Sequence, residues 1–315
     1  MADVPFVIAV HGGAGTMSPN PAIEAPYHLA LKAALAAGAA VLECGGAALD
    51  AVEAAVVSLE DCPLFNAGRG SVYTAEARHE MDAAVMEGQR LAAGAVACVR
   101  GVRNPVVLAR SVLESSGHVL MVGEGAQCFA QQMGLAMEPE AYFHTDERLA
   151  ELRRAQKQRK PAGGQAPPPH DAHFGTVGAV ALDCAGHLAA AVSTGGLTAK
   201  RAGRVGDSAV IGAGIYANDL SCAVVATGTG EHFIRSAAAH DVHARMAYRG
   251  QTLQEAAPDV VFGELLRIGG RGGLIALDAQ GEVSMPFNTA GMYRGVQRQG
   301  QAPCTAIFQD EMPNP

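Results

Sequence analysis

One segment of this chain is built not to pack. Residues 157–173 begin Lys-Gln-Arg-Lys-Pro-Ala-Gly-Gly-Gln-Ala-Pro-Pro-Pro-His, the charge, proline and glycine content of a flexible linker. The composition then switches within a few residues to an apolar run, Thr176-Val177-Gly178-Ala179-Val180-Ala181-Leu182-Asp183, which reads as a buried strand. Apolar runs also precede the linker, so the chain divides here while both parts supply strands to one layered sheet system.

Before the linker, Phe6-Val7-Ile8-Ala9-Val10 is a short strand stopped by His11-Gly12-Gly13-Ala14-Gly15, a glycine loop where backbone comes close to something. Residues 24–60 are rich in Ala, Leu, Glu and Val and are interrupted by Gly45-Gly46, which predicts two helices. A turn-rich stretch, Cys62 to Gly70, leads to strand candidates at 71–74 and 93–100, then helical patterns at 104–115 and 124–133. After the linker, strands are expected at Leu188 to Val192, Ala223 to Ala226 and Gly273 to Asp278, with a helix over about 231–247. Val180-Ala181-Leu182-Asp183 and Ile275-Ala276-Leu277-Asp278 are similar strand-plus-turn units.

Composition narrows the functions open to such a chain. With 315 residues, 49% of them hydrophobic, it can bury a substantial core. A formal charge of -8 with scattered Lys and Arg argues against nucleic acid and for a small-molecule partner. Met-Ala-Asp-Val-Pro opens the chain without a basic-then-apolar leader, and no stretch reads as a run of roughly 18 apolar residues; no membrane association and a cytoplasmic location are expected. Seven widely spaced cysteines without CxxC (Cys44, Cys62, Cys98, Cys128, Cys184, Cys222 and Cys304) read as buried thiols in a reducing compartment. The eleven histidines form no HxxxH, so metal catalysis has no motif.

The chemistry concentrates at Phe174-Gly175-Thr176-Val177-Gly178. Cleavage of the 175–176 bond would give Thr176 both a hydroxyl nucleophile and its own α-amine, whose unperturbed pKa of about 7.7–8.0 suits a general base. Threonine is also an ordinary strand residue, so this junction gains its meaning from three glycine loops downstream. Ser193-Thr194-Gly195-Gly196, Gly203-Arg204-Val205-Gly206-Asp207-Ser208 and Ala226-Thr227-Gly228-Thr229-Gly230-Glu231 put hydroxyl, guanidinium, carboxylate and free N–H groups at strand ends. Arg204 and Asp207 could grip the carboxylate and ammonium of a free amino acid, or could form a surface ion pair. Thr-Gly-Thr-Gly could be a phosphate turn, but no GxxxxGK[ST] or GxGxxG lies between a strand and a helix.

Together with His11-Gly12-Gly13-Ala14-Gly15, Asp50 to Val56, Pro63 to Gly68 and Gly269-Gly270-Arg271-Gly272-Gly273, these motifs resemble the isoaspartyl peptidase and plant-type L-asparaginase family of N-terminal-nucleophile hydrolases over nearly the whole chain. The resemblance implies an α+β fold, a four-layer αββα sandwich, and autocleavage between Gly175 and Thr176 into an α subunit of 1–175 and a β subunit of 176–315. It implies Thr176 as nucleophile with Thr194 beside it, and Thr227 and Gly228 as the oxyanion hole. Arg204 would hold the substrate α-carboxylate and Asp207 its α-ammonium, with Gly230 and Asn66 lining the pocket; Asn66 also reads as a turn-stabilising residue. His11 and Gly13 would lie nearby. The resemblance further implies no cofactor for catalysis, a structural sodium ion on backbone carbonyls of Leu59, Glu60, Cys62, Phe65, Ala67 and Arg69, and a homodimer of αβ units. The expected activity is hydrolysis of β-aspartyl dipeptides and L-asparagine. A glycosylasparaginase, a threonine endopeptidase, a non-catalytic amino-acid-binding protein and a nucleotide-binding protein are the alternative readings.

Overall fold

The computed structural model describes residues 4–158 and 175–309; the linker expected at 157–173 lies outside these except for Lys157 and Gln158, which end a helix. The part before the linker contains strands β1 (Val7–Gly15), β2 (Met81–Glu87), β3 (Ala93–Val99) and β4 (Leu120–Val122). Its helices are α1 (Pro21–Glu43), α2 (Ala48–Glu60), α3 (Pro105–Ser115), α4 (Gly123–Gln132), α5 (Glu140–Phe143) and α6 (Asp146–Gln158). The part after it contributes β5 (Val177–Leu182), β6 (Leu188–Thr194), β7 (Ile215–Ala217), β8 (Cys222–Gly228), β9 (Gly272–Asp278), β10 (Val283–Ser284), β11 (Gly291–Arg298) and β12 (Cys304–Ala306). Helices α7 (Gly230–Ser236), α8 (Ala238–Arg249) and α9 (Leu253–Pro258) come after β8, and α9 runs into a π-helical turn at Asp259–Leu265.

Eight strands form the larger sheet in the order β12-β11-β1-β5-β6-β2-β3-β4, and four form the smaller in the order β10-β9-β8-β7. The larger sheet interleaves the two parts of the chain: β5 lies between β1 and β6, and β6 pairs with β2. The expectation that both parts supply one sheet system holds for this sheet, whereas the smaller is made only after the linker.

Strand alternation sorts the side chains into four layers. Ile8, Val10, Ala179, Ala181, Ala189 and Ala191 face outward onto Leu31, Leu35, Val52 and Val56 of α1 and α2. Their neighbours Val7, Ala9, Val180, Leu182, Ala190 and Val192 face inward onto Ala223, Val225, Ile275 and Leu277 of the smaller sheet. The far face of that sheet, Cys222, Val224, Ala226, Leu274 and Ala276, packs on Phe233, Val242, Leu253, Val260 and Leu265. This is the αββα sandwich.

Helix α1 starts at Pro21 with Asn20 as its cap, the Asn20 side chain accepting from the Ala22 N–H at 3.2 Å. An 18-residue window within its 23 residues has a mean hydropathy of 1.3, enough by length and composition alone to cross a membrane, a test that the core helix of a soluble protein also passes. Leu31, Ala34, Leu35, Gly38, Ala39 and Leu42 form one buried stripe. A Cβ on Gly38 would lie 2.2 Å from Ile8 Cδ1 and 2.8 Å from the Ala51 carbonyl, so glycine lets α1 seat against both β1 and α2.

Three expectations are corrected. Residues 71–74 form no strand, only an isolated bridge from Thr74 to Lys200. The single helix expected over 231–247 is two, broken at Ala237, whose φ is 48°. All seven cysteines are free thiols, but only Cys222 is buried; Cys44 and Cys128 are exposed.

Candidate active site

Thr176 precedes β5 at the inner end of the larger sheet and is 8% exposed. The register Val177↔Ser193 sets it beside Thr194, the last residue of β6. Its hydroxyl donates to Thr194 Oγ1 at 3.0 Å, and Thr194 Oγ1 also accepts the Gly196 N–H at 2.9 Å. An ordered donor on the neighbouring hydroxyl fixes where the Thr176 hydroxyl points.

Asn66 ties this end together. Its N–H donates to the Gly175 carbonyl at 3.1 Å, its own carbonyl accepts from the Gly195 N–H at 3.0 Å, its amide Nδ2 donates to the Gly196 carbonyl at 2.7 Å, and its Oδ1 accepts the Val72 N–H at 2.9 Å. Both readings of Asn66 therefore meet: it stabilises a turn, and that turn holds the Gly175 carbonyl. Glycine is required at 175 because a Cβ there would lie 2.5 Å from Asn66 Cβ.

His11 is fully buried, and Gly178 makes room for it: a Cβ on Gly178 would meet its Nε2 at 2.6 Å. Burial drives the His11 ring down to about 3 against a smaller opposing pull from the Thr176 backbone, so it is neutral near pH 7. Gly13 has φ 107° at a break in register between β1 and β11, a conformation open to glycine.

The smaller sheet supplies the other side. A Cβ on Gly178 would also meet Val225 at 2.9 Å, so β5 and β8 touch two residues from Thr176 and two from Thr227. The Thr227 hydroxyl is wholly buried and has no hydrogen-bond partner among the described residues. Gly228, at φ 156°, has no space for a side chain: a Cβ would lie 2.2 Å from the Arg271 carbonyl.

Gly230 lies against the expected anchors, its would-be Cβ 2.8 Å from Asp207 Oδ1 and 3.1 Å from the Arg204 guanidinium. Burial raises the Asp207 carboxyl to about 7, although its own backbone N–H and Arg204 favour the charged form, and its Oδ2 has no hydrogen-bond partner among the described residues. Arg204 is held by Glu231 through two bonds of 3.0 Å. Glu231 directly follows the Thr-Gly-Thr-Gly run and was not singled out from the sequence, although its charge beside a glycine turn was visible. Two surface concavities, one around Asp183 and His187 and one around Gln251 and Glu282, contain none of these residues.

The turn from Leu59 to Arg69 is tightly packed. A Cβ on Gly68 would meet the Glu60 carbonyl at 2.5 Å, and one on Gly70 the carbonyls of Phe65 and Pro63 at 2.1 and 2.6 Å. The carbonyls of Leu59, Cys62 and Ala67 accept local N–H groups. The buried Arg148 guanidinium donates to the carbonyls of Gly70 at 2.9 Å and Leu64 at 3.3 Å.

An αββα sandwich with a threonine heading an inner strand, and glycine loops that carry hydroxyl, carboxylate and guanidinium groups, is the architecture of an N-terminal-nucleophile hydrolase. Residues 4–307 match the family model described as Asparaginase. The chain is 50% identical over 310 residues to the isoaspartyl peptidase of Escherichia coli strain K12, covering 97% of each chain. It is 50% identical to that of Salmonella typhimurium, covering 96% of this chain and 99% of the relative, and 40% identical to the human isoaspartyl peptidase/L-asparaginase, covering 91% and 93%. The chain belongs to the asparaginase family.

Proposed function

We propose that this enzyme cleaves itself between Gly175 and Thr176 and then hydrolyses β-aspartyl dipeptides and L-asparagine to release L-aspartate. The observation that carries the reading is the Thr176 hydroxyl, aimed at Thr194 by a 3.0 Å bond and preceded by a glycine carbonyl held by Asn66. In self-cleavage the Thr176 hydroxyl attacks that carbonyl, the Gly175–Thr176 C–N bond breaks to give an ester and a free α-amine on Thr176, and water hydrolyses the ester to release the Gly175 carboxylate and the hydroxyl.

In turnover, Thr176 Oγ attacks the side-chain amide carbon while the α-amine takes the hydroxyl proton. The Thr227 hydroxyl and the Gly228 backbone receive the developing oxyanion, which accounts for a buried hydroxyl without a partner among the described residues. The ammonium returns its proton to the departing amine, ammonia or an amino acid leaves, and water attacks the acyl-enzyme to release aspartate. Arg204 takes the substrate α-carboxylate and Asp207 its α-ammonium; together they favour a free amino-acid end over an internal protein segment.

We also assign a sodium ion to the 59–69 loop, where carbonyl oxygens of Leu59, Glu60, Cys62, Phe65, Ala67 and Arg69 would hold it. Carbonyl oxygens suit a hard cation, and its charge would stiffen the loop that carries Asn66. A cytoplasmic location and a homodimer of αβ units complete the proposal, and seven unpaired thiols fit a reducing compartment.

The deciding test is the mass of the denatured protein over time alongside aspartate release from L-asparagine and a β-aspartyl dipeptide. Two fragments meeting at 175/176 together with turnover support the reading. A chain that stays whole and inert withdraws it.

A further inference from the structure

Next to the site, under the loop 195–207, lies a group of buried charges that the mechanism does not use. Asp82 is fully buried on β2 and stands opposite Thr194 in the β2–β6 register. It sits where the β2–β3 pairing shifts, and its Oδ1 accepts the N–H of Cys98, a residue held at φ 54°. Burial raises its carboxyl; Lys200, the Cys98 N–H, Arg204 and the Gly206 backbone all favour its charged form. Asp82 thus adjoins Thr194 across the β2–β6 pairing, and its other oxygen has no hydrogen-bond partner among the described residues.

Lys200 is 5% exposed and donates to the Glu80 backbone carbonyl at 2.7 Å. Burial lowers its ammonium, opposed first by Asp82. The backbone around it is pinned, with the Ala199 N–H on the Tyr73 carbonyl and the Ala75 N–H on the Lys200 carbonyl, each at 2.8 Å. Its side chain runs beneath Gly196, whose would-be Cβ lies 2.9 Å from Nζ, and Gly196 is the residue that donates to Thr194 and accepts from Asn66. Glu80, 3% exposed, accepts the Gly203 N–H on Oε2 at 2.9 Å and pairs with Arg100 through Oε1.

We propose that Glu80, Asp82 and Lys200 are positioning residues that form one buried clasp, fixing the nucleophile's partner Thr194 and the substrate anchors Arg204 and Asp207 in a common register. Glu80 and Asp82 precede the cleavage point, and Lys200 and Gly203 lie beyond it. The clasp therefore also ties the two subunits together at the site. Three buried charged groups are a poor source of net stability compared with apolar packing, and a role in registering two halves of a site explains their presence. The inference rests on the proposed function for its kinetic arm only.

The test compares wild type with Glu80→Ala, Lys200→Met, and Lys200→Met combined with Asp82→Asn. Lys200→Met leaves Asp82 without its main countercharge and lowers Tm; the added Asp82→Asn restores most of that loss while leaving KM for L-asparagine raised at least tenfold. Glu80→Ala keeps the backbone carbonyl that Lys200 uses but frees Gly203, so KM rises about fivefold or more with kcat within about twofold. Amide hydrogen exchange over 195–207 is read on the same proteins, and the clasp requires faster exchange there in Glu80→Ala than in wild type. Wild-type KM and unchanged exchange in folded Glu80→Ala overturn the clasp. An inactive wild type would instead sink the proposed function, and the exchange comparison would still decide the clasp.

Discussion

Thr176 sits among neutral hydrogen bonds that are closed, whereas Arg204 and Asp207 sit among charges that are not. Around Thr176, the residues Thr194, Asn66, Gly195 and Gly196, with Gly175 and Val72, are joined through six bonds of 2.7 to 3.1 Å. At the proposed anchors, Asp207 Oδ2 has no hydrogen-bond partner among the described residues, burial has raised the carboxyl to about 7, and Arg204 is taken by Glu231. The hydrogen bonds that orient the Thr176 hydroxyl are finished before any substrate arrives, while the Thr227 hydroxyl, proposed for the oxyanion, is left open among the described residues. The recognition end stays incomplete, because a buried carboxylate gains most from an ammonium when nothing else has neutralised it.

The largest effect is expected at the finished end. Thr176→Ala removes the nucleophile of both reactions, so fragments should be absent and aspartate release should fall by at least about 10³-fold; mass spectrometry and a coupled ammonia assay read the two. Full turnover in that variant would remove the contrast altogether.

The next effect belongs to the incomplete end. Asp207 must be ionised to receive an ammonium, so kcat/KM should fall as pH drops through about 7. Stability should run the other way. A carboxyl raised in the folded state favours folding at low pH, and that contribution is lost as pH rises from the unfolded value of about 3.9 through about 7. Asp207→Asn should therefore raise Tm above pH 7, with the gain shrinking toward pH 5, while kcat/KM falls by about 10²-fold. Lower Tm across that range would show that Asp207 is already satisfied, and the two ends would not differ.

Legibility in the sequence divides along the same line. β5 was legible because an apolar run meets a linker at one end and a turn at Asp183 at the other; Asp183 and its counterpart Asp278 each accept two N–H groups in those turns. β2 was not, since Met-Asp-Ala-Ala-Val-Met-Glu is made largely of helix formers and becomes a strand only between β6 and β3. Asp82 was hidden with it. The break between α7 and α8 was equally silent, because Ala237 is a helix former held left-handed by its surroundings. Thr176, Thr194, Arg204 and Asp207 could be named because glycine loops flag strand ends, but the Arg204–Glu231 pair joins residues 27 apart and depends on the turn after β8.

Gly175→Ala sharpens the account of the finished end. Its Cβ would strike Asn66 Cβ at 2.5 Å, and the backbone would shift to relieve the clash, displacing the carbonyl that Thr176 attacks. Fragment appearance should slow about tenfold or more. Enzyme that does mature should have wild-type kcat, because residue 175 takes no part in turnover.

The smallest change probes the unfinished end. Glu231 holds Arg204 in the geometry a substrate α-carboxylate would need, with side-chain exposures of 51% for Glu231 and 17% for Arg204. Such a half-exposed pair contributes at most about 1 kcal/mol, which substrate must offset to take over the guanidinium. Glu231→Gln keeps the shape, weakens the pair and should lower KM for L-asparagine by about two- to fivefold with kcat unchanged. A raised KM would mean that Glu231 orients Arg204 for the substrate instead of competing with it, and the anchor end would then be as fully pre-built as the nucleophile end.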